Sequence, residues 1–162
     1  MRKFGAMFVV LLVALGLVGA TYAVWTDQLT ISGSVATGKL EVVFSSAEAL
    51  QDNDPEGYDI GSVTCSISED GKTGYVTISN AYPGYEASCV FTIANVGSIP
   101  AKVTGIEINA DEGLTVETSG VYVDDVIDVE DSADLTVTVT CGEEVEEDSD
   151  YTFTVTIDFG QV

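Results

Sequence analysis

The sequence predicts an all-β fold, a single β-sandwich of jelly-roll or Ig-like type behind a cleaved N-terminal signal peptide. Three observations carry that expectation. Apolar and polar residues alternate through many short runs, the period-two mark of half-buried strands. Clusters of Gly, Pro, Asn and Asp separate those runs, as turns require. The N-terminal stretch is basic, then apolar, and holds no acid.

Residues 1–23 read as an export signal. Arg2 and Lys3 lead into the apolar run Phe4 to Val18, and Gly19, Ala20, Thr21, Tyr22 and Ala23 supply the small residues that a signal peptidase accepts. The run is about fifteen residues, shorter than the ~20 that a bilayer-crossing helix needs. Cleavage after Ala23, with Thr21 ahead of it, leaves a processed chain starting at Val24; cleavage after Ala20, with Val18 ahead of it, is the second choice. An uncleaved signal anchor is the alternative to both.

Residues 24–37 read as a first strand. Trp25, Leu29, Ile31 and Val35 share one face, and Gly33 stands in the same row. Asp27 interrupts that row, so the continuous apolar part starts near Gln28.

The domain proper is expected over 38–162. Inward rows are Leu40, Val42 and Phe44; Val63, Cys65 and Ile67; Val76 and Ile78; and Cys89, Phe91 and Ile93. Farther on come Val103 with Ile106 and Ile108, then Val121 and Val123, then Leu135, Val137 and Val139, and last Phe153, Val155, Ile157 and Phe159. Turns are expected at Glu69 to Lys72, Tyr82 to Gly84, Asn95 to Ser98 and Asp111 to Gly113. Ser45 to Leu50 alone reads as helical, one or two turns long. Short strands in this number, each with one polar face, point to two packed sheets.

Charge and composition exclude several function classes. Three lysines (Lys39, Lys72, Lys102) face all 27 carboxylates after processing, 3 − 27, a net charge of −24 against −22 for the whole chain. Nucleic acid and anionic membrane surfaces are excluded as partners, because both need clustered Lys and Arg. With no histidine, zinc hydrolysis by His-Glu-x-x-His, Ser-His-Asp triads and Cys-His dyads are all closed. No Gly-rich phosphate loop precedes a helix. No catalytic site and no organic cofactor is expected.

Two sets of residues are candidates for chemistry. Cys65, Cys89 and Cys141 all fall on inward strand faces of an exported protein, where one disulfide is expected. Cys89 with Cys141 and Cys65 with Cys89 are both open pairings. The second set is Asp52, Asp54, Glu56 and Asp59, oxygens at nearly alternate positions around Gly57, which repeat the first half of a calcium-binding loop. Val63 stands where that loop would need a bidentate Glu, so a plain acidic loop is the competing reading.

A family resemblance rests on two blocks. The first is Gly19-Ala20-Thr21-Tyr22-Ala23-Val24-Trp25-Thr26-Asp27 followed by Ser34 through Val42; the second is Asn80-Ala81-Tyr82-Pro83-Gly84-Tyr85, continuing through Phe91 to Asn95-Val96-Gly97-Ser98-Ile99-Pro100-Ala101-Lys102-Val103. Together they resemble the signal junction, first strands and Asn-x-x-Pro-Gly and Asn-x-Gly-Ser turns of the TasA/camelysin family. Its members are secreted subunits of bacterial biofilm fibres, with archaeal bundling-pilus relatives. The resemblance covers about the first two thirds of the chain. It implies a jelly-roll subunit of an extracellular, cell-surface filament that polymerises with itself by donor-strand exchange, using residues 24–37. Neighbouring filaments are further partners in that scheme, and signal peptidase is an earlier one. Two alternatives of other classes are a type IV-like pilin that retains Phe4 to Val18 as a helix and a monomeric surface adhesin or calcium-binding module.

Overall fold

The structure, a computed structural model, describes residues 2–21, 27–50, 52–54, 60–146 and 149–162. The chain divides into two units, Met1–Ala36 and Thr37–Val162. The first contains helix α1, Arg2–Thr21, and then residues 27–36, which form neither helix nor strand. Among the described residues no helix is long and apolar enough to cross a membrane. The expected cleavage point at Ala23 and Val24, and Trp25 after it, lie outside the described residues.

The second unit is built from strands: β1 Val42–Ala49, β2 Ser62–Ile67, β3 Gly74–Ser79, β4 Glu86–Asn95, β5 Ala101–Ala110, β6 Leu114–Ser119, β7 Val126–Ile127, β8 Ser132–Cys141 and β9 Phe153–Gln161. They make three antiparallel sheets with the orders β1-β4-β8-β6, β2-β3 and β7-β5-β9. The all-β expectation therefore holds.

β4 and β8 show why these residues form strands. β8 alternates apolar residues with Ser132, Asp134 and three threonines, and β4 alternates them with Ser88, Val90 and Thr92, so one face can leave water while the other stays partly wet. Cys89, Phe91 and Ile93 of β4 and Leu135, Val137 and Val139 of β8 are buried. On the opposite face the hydroxyls of Ser88 and Thr138 meet across the pair at 2.9 Å. Val103, Val121 and Ile127 complete the buried cluster, and half-buried residues of β2, β3 and β9 pack against it.

Three expectations need correction. Ser45 to Leu50 is not helical: β1 continues to Ala49, pairing from Ser46 opposite Thr92 to Ala49 opposite Cys89 after a bulge past Phe44. A helix this short cannot recover its nucleation cost, whereas an edge strand gains a ladder from its neighbour. Val121 and Val123 are not a strand either. Gly120 turns the chain there at φ +90°, and Val121 is buried while Val123 is half exposed. The two short strands β6 and β7 were not expected at all. By contrast, the phase change from Val103 to Ile106 has a direct cause: a bulge between Val103 and Gly105 shifts which residues face inward.

The cysteine pairing is settled as Cys65–Cys89, Cα atoms 6.0 Å apart, joining β2 to β4. Cys141 is the free, buried one. Although β4 and β8 are neighbours, Cys89 lies opposite Val137. Cys141 is four residues farther along, about 13 Å at strand rise, beyond the ~7 Å reach of a disulfide. Burial pushes the Cys141 thiol up from its ordinary pKa, so it behaves as a small apolar side chain.

Candidate functional site

The inward rows of β3 and β9 end in open edges. β3 pairs only with β2, and β9 pairs only with β5. Each therefore has one edge of unpaired backbone N–H and C=O groups.

Three adjoining cavities of about 450, 430 and 590 Å³ lie along β9; β3 residues line the second and third, and β1 residues with Gly71 and Lys72 line the first. The first two share Phe44, Lys72, Val155 and Ile157; the second and third share Val76, Tyr151 and Phe153. They form one groove. β3 and β9 line its middle, β1 and β9 its Lys72 end, and Phe44, Phe91, Ile93, Leu135 and Val137 of the four-stranded sheet are among the residues that line it. Phe44 and Phe91 stack at a tilt, ring centres 5.4 Å apart.

The groove has two distinguishable ends. Gly71 and Lys72, in the turn between β2 and β3, lie near Phe159 at one end. Ser79 and Asn80 lie near Tyr151 and Phe153 at the other, together with Glu146 and Asp150. β3 thus runs from the lysine end to the acidic end, and β9 runs back.

The lysine end is also where the lead into β1 is fastened. The buried Asn95 side chain donates to the carbonyls of Ile99 at 2.9 Å and Ile127 at 3.0 Å, and accepts from the Gly97 N–H at 3.0 Å. The turn so held grips the passing chain. Ser98 N–H donates to the Lys39 carbonyl and Val96 N–H to the Glu41 carbonyl, while Lys39 N–H donates to Ser98 Oγ at 2.8 Å. Gly97 must be glycine, because an added Cβ would strike the backbone of Lys39 and Glu41. The Asn-x-Gly-Ser motif is a clamp on residues 39–41.

Of the predicted strand face, Leu29, Ile31 and Val35 stand 95%, 98% and 94% exposed, and Gly33 has open space around it. Trp25 is outside the described residues. Three large apolar side chains in an unpaired stretch are an exception among soluble proteins.

The calcium candidates take a different part. Glu56 and Asp59 lie outside the described residues. Asp54 accepts from Ile60 N–H at 2.6 Å, Gly61 N–H at 3.0 Å and the Tyr82 hydroxyl at 2.9 Å. Asp52 accepts from the Tyr85 hydroxyl at 2.8 Å and from Asp54 N–H. Between them Asn53 donates to the Gly84 carbonyl and accepts from Glu86 N–H. Burial, and then the hydrogen bonds to Asp52 and Asp54, push both phenols above their ordinary pKa, so they stay protonated donors. This short segment pins the Tyr82 to Glu86 turn. Among the described residues no group of three or more His, Cys, Asp or Glu side chains is placed to hold a metal ion.

Sequence reasoning missed the groove-lining residues Phe44, Lys72, Gly74, Val155 and Ile157 as a set. A signal existed in part: Val76 and Ile78 of β3 and Phe153, Val155, Ile157 and Phe159 of β9 form inward apolar rows. No known protein family, characterised protein or solved structure matches the chain.

Proposed function

We propose that this chain is the structural subunit of an extracellular filament, and that residues 24–37 of one copy fill the groove of the next. The observation that supports it is a pair of complementary defects. One part of the chain leaves an apolar groove beside two open strand edges, and another part holds an extended row of exposed apolar side chains in no sheet.

A strand inserted there joins β2-β3 to β9-β5-β7 as one continuous sheet facing β1-β4-β8-β6. The result is the two-layered sandwich of jelly-roll or Ig-like type. Fully burying Leu29, Ile31 and Val35 is worth roughly 5 to 9 kcal/mol before ordering costs, at about 1.5 to 3 for each. Pairing on both edges adds register, and it covers backbone groups that would otherwise promote aggregation.

The resemblance to TasA-type subunits agrees with this reading, as does an α1 that serves as an export signal and is removed. The role is structural, with no reaction and no cofactor. Three lysines against 27 carboxylates make neighbouring filaments repel, so salt or acid favours their bundling.

Two variants of the processed chain test the proposal. Deleting Val24 to Ser34 abolishes filaments, while a second copy of that segment joined to the C-terminus by a long flexible linker gives a stable monomer. Normal filaments from the deletion variant, seen by electron microscopy, would rule out strand donation.

A further inference from the structure

We infer that the guest strand has one defined polarity: it runs antiparallel to β9 and parallel to β3, and places Asp27 of one copy beside Lys72 of the next. This rests on the donor-strand reading above and goes beyond it, because β3 and β9 run in opposite directions. Any strand between them must be parallel to one and antiparallel to the other, and either choice would fill the groove.

Polarity follows first from the place where the segment leaves its own domain. Residues 39–41 are clamped by the Asn95 to Ile99 turn, at the lysine end of the groove. An open filament repeats one head-to-tail contact, so every copy points the same way along it. The lysine end of one copy then faces the acidic end of the next. A segment leaving the first copy enters its neighbour at the acidic end and reaches inward toward the lysine end. Its N-terminus lies at Lys72 and its C-terminus at Glu146 and Asp150. Read from N to C, that is the direction of β3.

Charge selects the same answer. Lys72 is one of three lysines after residue 3, and it lines the first two cavities. Among the described residues it forms no ion pair; its ammonium donates to the Val42 carbonyl. Lys39 and Lys102 are already bridged to Glu41 and Asp124. Asp27, the acid that interrupts the apolar row, meets this ammonium in the inferred polarity, joining the weaker pull that Glu41 and Asp70 already feel from it. Reversed, Asp27 would meet Glu146 and Asp150, a like-charge contact that opposes association.

The spacing agrees. With Asp27 beside Lys72, the row Leu29, Ile31 and Gly33 stands beside Gly74, Val76 and Ile78, which are the inward positions of β3. From Asp27 to Val35 is about 26 Å at strand rise, close to the length of β9. At Gly74 the wall has no side chain of its own, and an added Cβ there would strike the Phe91 ring. Leu29 arrives beside the Phe91 ring that packs against Gly74.

Cysteine pairs in the full processed chain decide the matter. Filaments of D27C/K72C, oxidised and run under denaturing conditions, yield a covalent ladder of dimers, trimers and higher species; filaments of D27C/E146C remain monomeric on the same gel. Cys141 is buried, and a C141S background removes it from consideration. A ladder from D27C/E146C instead overturns the polarity and leaves strand donation standing. Intact filaments with no ladder from either pair overturn strand donation itself. A second measurement needs no new cysteine. The C-terminus lies at the lysine end, where Ala101 pairs with Gln161. A two-residue Asn-Gly turn after Val162 can therefore return an appended copy of residues 27–36 along β9 as a hairpin. That chain is monomeric in the inferred polarity. If it still polymerises, and only a linker long enough to span the sheet blocks assembly, the polarity is reversed.

Discussion

β4 and β9 carry nearly the same pattern and meet different fates. Cys89, Phe91 and Ile93 alternate along β4 and are no more than 4% exposed. Phe153, Val155, Ile157 and Phe159 alternate just as strictly along β9, yet all are only half buried. The difference lies in the neighbours. β4 is paired on both edges, by β1 and β8, and β9 on one. Alternation states which face of a strand turns inward; it does not state whether anything arrives to cover it. The closed side of this domain is a finished core, and the open side is a half-covered groove built from the same residue types.

Substitutions on the two sides separate these roles. Phe91→Ala, in the closed core, costs about 3 to 5 kcal/mol of domain stability, measured by denaturant unfolding of the processed chain. A loss below about 1 kcal/mol would mean that the floor of the groove is loosely packed and the contrast with β9 is false.

The disulfide comes next. An isolated two-stranded hairpin is marginal in water, and Cys65–Cys89 ties β2-β3 to the central strand β4. Changing both cysteines to Ser costs about 3 kcal/mol for a loop of 24 residues. Hydrogen exchange should show β2 and β3 losing protection while β4 and β8 keep theirs. A uniform loss across all four strands would make the disulfide a general staple instead of the support of one groove wall.

Ile157→Ala sharpens the comparison from the open side. In the unassembled subunit it costs about 1 kcal/mol, as half-buried apolar area implies. Under the proposed strand donation the guest completes its burial, so the concentration needed for assembly rises about tenfold, the equivalent of 1.4 kcal/mol. Light scattering against concentration measures this; equal effects on folding and assembly would make β9 an ordinary core strand.

The smallest effect concerns the far end of β9. Asp111 accepts from Thr152 N–H at 2.7 Å and from the Thr152 hydroxyl at 2.9 Å, and these bonds hold its carboxyl below the usual Asp range. A lowered folded value contributes stability above the unfolded pKa of about 4 and loses it as pH falls through the folded value. Asp111→Asn should therefore lower the melting temperature slightly at pH 7, with the gap to the parent chain closing below about pH 4. A gap that does not change with pH would assign the effect to shape and not to charge.

Local residues foretold a great deal of this. Strand faces from Val63 to Ile67, Cys89 to Ile93 and Leu135 to Val139 were legible because pleating imposes a period of two on any half-buried strand. Turns at Gly71 and Gly84 were legible because both backbones take positive φ, +66° and +82°, where glycine carries no penalty. That histidine chemistry is closed follows from composition alone. Ser45 to Leu50 misled because its residues suit a helix turn, and only the ladder with β4 makes it a strand.

Tertiary structure decided what depends on partners distant in the chain. It chose Cys65 over Cys141 for Cys89, because register across β4 and β8 sets Cys141 out of reach. It turned the Asp52 to Asp54 segment into a clamp on Tyr82 and Tyr85, some 30 residues later. It also left β3 and β9 unpaired beside one another, a vacancy no single strand encodes. Periodicity is a property of each strand, carried by the residues themselves. The groove is a property of the sheet order, and sheet order arises only when strands far apart in sequence compete for the same edges.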